Sequence, residues 1–377
     1  MTSAHEPPRP DPSAWVRAAG RAPSPHNTQP WAPRVVDGRI ELGVVPSRVL
    51  CAGDPTSRDL LLALGAWVES AAVAAAADGR SLRVEPTPHL ERLDAMPVHG
   101  PADPATPVLV LHPEDEPYDT PFTPDDVRSR RVHRGTLTAA PDVLTDAPGV
   151  PLWLRLEEVD AATMRHLVRL GTAYTVARPG IAAELVRWLR LSEDHPRYDR
   201  DGMTDRMLLL PRPIARLAAP FTRRARLRDR LLAVAGRVAR AIENLGQAQP
   251  LPRPAAADGP RHLVLVADLR VLGHDAVHSR TEAMDSRLPL PHADVVEAGR
   301  VLQRMWLHAH RAGVSVAPHS EVVDSPAAEA ALRRRLGLRR AEIALAVFSA
   351  GRASTPAPPS PRLTDAEPAP AQRSSTS

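Results

Sequence analysis

Residues 23–31 read Pro-Ser-Pro-His-Asn-Thr-Gln-Pro-Trp. Three prolines flank two carboxamides, and asparagine is scarce in this chain: Asn27 and Asn244 are its only two. Proline fixes φ, so Ser24, Asn27 and Gln29 are held as a rigid display of donors and acceptors. Such a loop suits a planar heterocycle with polar edges, though turn-forming residues also cluster in ordinary surface loops.

Working outward, Pro12–Gly20 reads as a short helix. Arg34–Leu42 reads as a hairpin turning on Asp37-Gly38, a type I′ pair. Asp54–Asp78 reads as a long apolar helix stopped by Gly79, and Glu69 within it argues for a packed helix over a membrane span. Strands are expected at Val108–His112, Leu152–Glu157, Leu263–Leu269, Val314–Ala317 and Ile343–Ser349. Helices are expected at Ala161–Arg178, across 180–245, at Asp294–Arg311 and from Ser325-Pro326 to Leu336, the last pair being an N-cap and first helical residue. In Asp294–Arg311, Val295, Ala298, Leu302, Met305, Trp306 and Ala309 form one stripe. Helices interleaved with about six strands give an α+β chain. Residues 1–11 and 353–377 are polar and Pro-rich and read as disordered; 113–129 reads as a linker.

Composition narrows the chemistry. The 377 residues include 48 cations against 44 acids, and every cation is arginine. Without lysine there is no P-loop lysine and no Schiff-base lysine. One cysteine, Cys51, excludes an internal disulfide and a cysteine-based zinc cluster. The polar start has no signal-peptide pattern, which leads to an expectation of a cytoplasmic protein. No Gly-x-Gly-x-x-Gly occurs. Gly313-Val-Ser315-Val-Ala317 lacks the strand–turn–helix setting of a hydrolase elbow. His274 and His278 have the spacing of a ligand pair but no evident third ligand.

Arg130-Arg131-Val132-His133-Arg134 is the second signal, since guanidinium forks match phosphate oxygens. A third, Arg212–Arg240, carries nine arginines. It suits anionic lipid or nucleic acid. The expectation is instead a solvated helix pair, with Leu227, Leu231, Val234 and Val238 turned inward.

The loop and the arginine element together resemble the nitroreductase-like flavoproteins. Residues 22–31 are close to that family's Ala-Pro-Ser-x-x-Asn-x-Gln-Pro-Trp, and 130–134 to its Arg-Arg-Ser-x-Arg. The loop precedes the arginine element, an order similar to the single-chain, fused-lobe actinobacterial (Acg-like) branch. Residues 54–79, 188–203 and 297–318 resemble further segments of that branch. The resemblance covers about 12–352. It implies a nitroreductase-like fold with two lobes, 12–112 and 130–352, mimicking the usual homodimer in one chain, and a helical lid at 180–245. It implies FMN where the lobes meet, with Pro23, Ser24, Pro25, Asn27 and Gln29 on the ring and ribityl chain. Arg130 and Arg134 would take the phosphate and ribityl end, with Val132 contributing backbone.

The departures are Val132 for the family's serine and Phe348-Ser349-Ala350-Gly351 for its Leu-Arg-x-Gly, with Arg352 as a substitute cation. Pro318-His319-Ser320-Glu321 replaces Pro-Leu-x-Gln. The activity implied is that of an NAD(P)H-dependent oxidoreductase, passing hydride through the flavin to a nitro or quinone-like acceptor in a ping-pong cycle, with no catalytic side chain and no metal. The alternative is a flavin-sequestering protein with little turnover. A monomer without nucleic-acid or membrane partners is expected.

Overall fold

The computed structural model describes residues 11–95, 103–145, 147, 149–223, 225–252, 259–273 and 288–363. His274, His278 and the start of the chain before Asp11 lie outside them.

Helix α1 (Pro12–Ala19) begins at Asp11, whose carboxylate accepts from Ser13 N. Strands β1 (Trp31–Val36) and β2 (Arg39–Val44) pair antiparallel about Asp37 and Gly38. Both turn residues have positive φ, 49° and 78°, as the type I′ reading requires. Helix α2 (Arg58–Ala76) starts later than the sequence suggested. Asp54 still serves its first turn, because its Oδ2 accepts from Leu60 N at 2.9 Å. Strands β3 (Ser81–Pro86) and β4 (Leu109–Glu114) complete an antiparallel sheet of order β1-β2-β4-β3. The sequence reading missed β3, a short run in which only Leu82 and Val84 alternate with polar residues and Pro86 closes the strand.

The expected linker is partly helical. Thr123 and Asp126 cap each other at the start of α3 (Pro124–Ser129). Next come β5 (Leu137–Thr138), β6 (Leu154–Val159), α4 (Ala161–Ala177), α5 (Pro179–Arg187) and the two-residue strands β7 (Leu189–Arg190) and β8 (Met203–Thr204). Then follow α6 (Arg212–Arg223), α7 (Ala225–Ala248), β9 (Arg261–Asp268), α8 (His292–Arg311), β10 (Ser315–Pro318), α9 (Glu321–Asp324), α10 (Pro326–Leu336) and β11 (Glu342–Ala353). The second antiparallel sheet runs β10-β11-β9-β6, and β5 pairs with the end of β11. Two antiparallel sheets with helices packed on them make this an α+β chain, as the sequence predicted.

The two sheets share a core through α2 and α8. These helices cross in near backbone contact, because a Cβ on Gly65 would lie 1.9 Å from Val296 O, and one on Gly299 would lie 2.3 Å from Leu62 O. Trp67, Leu61 and Leu64 on α2 are fully buried, each contributing about 1.5–3 kcal/mol. Glu69, buried within α2, is fully engaged. It accepts from Tyr118 Oη at 2.7 Å, Arg300 Nε at 3.1 Å and Arg304 Nη1 at 3.0 Å. Those three donors make a buried carboxylate tolerable and lock the two helices in register.

Helices α6 and α7 correct the sequence reading. Leu231, Val234 and Val238 face solvent, while α7 packs on α4 through Gly236, Ala239, Glu243 and Gly246. Small side chains allow the close approach, leaving the larger apolar residues outside.

The tail differs as well. Arg362 is buried, so 360–363 is a packed segment rather than part of a disordered end. Its hydrogen bonds go to residues 21–29 (below).

Candidate cofactor site

The loop at 23–31 leads from α1 into β1, and its geometry is strained. His26, Asn27 and Gln29 all have positive φ, 49°, 54° and 52°. Non-glycine residues persist there when their surroundings over-determine them. Ser24 Oγ accepts from Gln29 N at 2.9 Å, closing the loop on itself. Asn27 Nδ2 donates to Gly202 O and Pro361 O, both at 3.1 Å, and its Oδ1 accepts from Arg362 Nη1 at 2.7 Å. Gln29 Nε2 donates to Arg200 O at 2.9 Å, and its Oε1 accepts from Leu363 N at 2.9 Å.

The arginine element follows α3 and lies beside β10. Val132 forms a parallel bridge with Val316, and His133 N donates to Val316 O at 3.0 Å. That pairing carries Arg130, Val132 and Arg134 to the wall of the same cavity that Pro23, Ser24, Pro25 and Asn27 line. The cavity has a volume of about 460 Å³. Seven of the nine residues singled out in the sequence thus meet in one place.

Two do not. Gln29 is buried behind the loop and holds the 200-region and the tail. Arg352 lies exposed on β11, paired with Thr138 across the strand end, and does not reach the cavity.

One pole of the cavity is basic. Arg21, Arg130, Arg131 and Arg134 line it. Arg130 is buried, with its guanidinium 5.7 Å from the Trp306 ring and its Nε without a hydrogen-bond partner. Burial and the neighbouring Arg131 and Arg21 pull it down to about 9. Among the described residues no carboxylate pairs with Arg130, and an anion placed here would relieve the repulsion. Arg134 is pulled down by burial, partly opposed by Glu321. His26 is pushed to about 4 by burial and by Arg134, which leaves a neutral imidazole.

Carboxylates line the cavity as well, among them Asp54, Asp59, Glu321 and Asp324. Arg58 Nη2 holds Asp59 at 2.9 Å and Asp324 at 2.7 Å. Asp54 beside them is pushed up to about 7 by burial and by Asp59, and its Oδ1 is unpartnered. Leu62 and Ala66 of α2, Leu302 and Trp306 of α8, and Leu345 and Val347 of β11 form apolar parts of the lining. Ile181, Leu185, Met203, Met207 and Leu208 line a further side.

The departures on β10 and β11 meet in a polar chain. Ser349 Oγ lies 2.7 Å from His262 Nδ1 and 2.8 Å from His319 Nε2, and His319 Nδ1 lies 3.5 Å from Glu321. Ser349, which stands where the resembled sequence pattern has an arginine, is thus held between two imidazoles. Arg21, His26, Asp54 and Trp306 were not singled out in the sequence as site residues, and Glu321 only as part of the departure from Pro-Leu-x-Gln. For His26 the signal was its place inside the loop; Arg21, Asp54 and Trp306 carry no local signal and are gathered by tertiary packing.

No model of a known protein family matches the chain. Over 88 residues it is 41% identical to a Mycobacterium tuberculosis protein named "Putative NAD(P)H nitroreductase acg", covering 22% of this chain and 27% of that relative. Over 86 residues it is 37% identical to "Putative NAD(P)H nitroreductase Rv3131" of the same organism, covering 21% and 25%. The match spans about a quarter of the length of these curated relatives. Among solved structures, it is similar to the FMN-dependent nitroreductase NfnB from Mycobacterium smegmatis in complex with NADPH. That likeness has 19% identity and a TM-score of 0.29 and covers 62% of this chain and 87% of that one. In sequence, this chain is similar over about a fifth of its length to mycobacterial proteins named "Putative NAD(P)H nitroreductase".

Proposed function

We infer that the cavity binds FMN and that the chain is an NAD(P)H-dependent oxidoreductase of nitroreductase type. The observation that carries this reading is Arg130, a buried guanidinium with an unpartnered Nε, set in a cluster of arginines on a cavity shared with the Pro23–Asn27 wall. The volume lies within the roughly 300–1,000 Å³ of small-molecule sites.

Bound FMN would supply two-electron chemistry, accepting hydride from NAD(P)H and delivering it to a nitro or quinone-like acceptor. The chain's residues would do the holding. Arg130 and Arg134, with Arg21 and Arg131, would neutralise the phosphate. The apolar side chains of α2, α8 and β11 would flank the ring and exclude water. Pro23, Ser24, Pro25 and the backbone about His26 would border it. Asn27 and Gln29 would act through the loop, since their amide groups are engaged by Gly202, Arg200 and the tail. Both motifs come from one chain, so a single chain would make a complete site and a monomer would suffice. The nitroreductase-like two-lobe arrangement, with 180–245 as a lid, belongs to the same reading.

A second reading, FMN held with little turnover, is favoured by Ile181, Leu185, Met207 and the tail residues Ser360 and Arg362 in the lining of the cavity. A visible spectrum of the protein with added FMN, followed by anaerobic NADPH and NADH, separates the two. Prompt bleaching of bound flavin supports the oxidoreductase. Bound flavin that stays yellow supports sequestration, and no binding overturns both.

A further inference from the structure

Helix α7 is amphipathic, but its packing is inverted. Leu231, Val234, Val238, Ile242 and Leu245 recur three or four residues apart, the spacing of one helical stripe. In a helix docked by its apolar face these would be buried; instead they are between 41% and 65% exposed. The docked face is the narrow one, where Gly236 approaches Val176 O and Gly246 approaches Leu170 Cδ2. Ile214 and Leu217 on α6 are likewise exposed. A contiguous exposed apolar stripe marks a surface that something else covers.

The charge around the stripe selects what covers it. Exposed Arg230 and Arg237 lie about a quarter turn from the stripe. Against them, Asp229 pairs with Arg228 at 2.9 Å, and Glu243 is buried on Arg178 at 3.0 Å. A second copy would set one arginine-rich face against another. The segments outside the described residues (1–10, 96–102, 253–258, 274–287, 364–377) together contain few large apolar residues and no apolar run. An anionic lipid surface supplies both complements, an apolar layer for the stripe and negative headgroups for the guanidinium groups, whose stems can lie along the boundary. Helix α7, 24 residues and about 36 Å long, would lie along such a surface without crossing it.

We propose that the exposed face of α7, with its apolar stripe and flanking arginines, docks this protein onto anionic membrane surfaces. The proposal stands apart from the flavin reading. Its test is flotation of the full chain with vesicles of phosphatidylcholine alone and with an equimolar mixture of phosphatidylglycerol and phosphatidylcholine. The chain should float with the mixed vesicles and not with the neutral ones. Val234→Ser with Val238→Ser, both at exposed positions, should lower partitioning by about tenfold or more. Arg230→Gln with Arg237→Gln should also lower it, and added salt should weaken wild-type binding. Sedimentation without lipid is the control. Failure to float with the mixed vesicles overturns the proposal. So does a wild-type dimer that Val238→Asp converts to monomer, because the stripe would then be covered by a second copy.

Discussion

The guanidinium of Arg362 donates to Asn27 Oδ1 at 2.7 Å, joining residues 335 apart in the chain. It also donates to the carbonyls of Arg21 and Ala22 at 3.0 and 3.3 Å, so one side chain ties the start of the loop to its strained middle. Pro361 O and Leu363 N engage the carboxamides of Asn27 and Gln29. The loop's unusual backbone is therefore held from outside, by a segment that composition alone marks as disordered.

Arg362→Ala should release that hold. A buried charge-assisted hydrogen bond contributes about 1.5–3 kcal/mol, so denaturant unfolding should show a loss of about 2 kcal/mol. FMN affinity should fall roughly tenfold as the loop loosens. Arg362→Lys should recover little, because an ammonium cannot reproduce the planar fork. Lost stability with unchanged FMN affinity would make the strap a packing element with no part in the site.

Gly299→Ala should be far more damaging than its size suggests. The added Cβ would meet Leu62 O at 2.3 Å, backbone that cannot rotate away. Helices α2 and α8 would have to separate, at a cost of about 3 kcal/mol or more. Both line the cavity, so thermal unfolding and FMN titration should change together.

These cases show what the sequence made legible. The hairpin at Asp37-Gly38, the Ser325-Pro326 helix start and the α8 stripe were readable, because each rests on local conformational preference or periodicity. Seven cavity residues were readable, because they sit in two dense motifs. Gln29 was misplaced because a carboxamide in a loop gives no sign of which way it points. Arg352 was misplaced because its distance along the strand put it beside Thr138 and away from the cavity. The outward stripe of α7 was unreadable, since periodicity identifies an apolar face without saying what it meets. The role of Arg362 depends on a contact across nearly the whole chain.

Stability should depend on pH through groups whose shifts run in opposite directions. Folded Asp54 titrates near 7 against an ordinary 3.8, so between those values the folded chain holds the extra proton, and stability from this group falls as pH rises. His262, pushed to about 4 by burial and by His319, acts the other way. Between about 4 and 6.5 the unfolded chain binds its proton, and stability from this group rises with pH. Urea midpoints measured across that window should rise more steeply with pH in Asp54→Asn and less steeply in His262→Gln. Parallel curves for wild type and both variants would contradict these assignments.

Ser349→Ala would strip His262 and His319 of their shared partner. Leaving those ring nitrogens without it should cost about 1–3 kcal/mol. Ser349 does not line the cavity, so FMN affinity should change by less than about threefold. A large loss of affinity would place the His262–Ser349–His319 chain in the cofactor site.

The most direct measurement is the FMN dissociation constant of the full chain, compared among wild type, Arg130→Ala and Arg83→Ala. Arg83 is exposed on β3 and serves as the control. If Arg130 holds the phosphate, its loss should weaken binding by roughly ten- to hundredfold, the equivalent of a charge-assisted hydrogen bond, while Arg83→Ala leaves it unchanged. Equal effects of the two substitutions, or no FMN binding by the wild-type chain, would contradict the account.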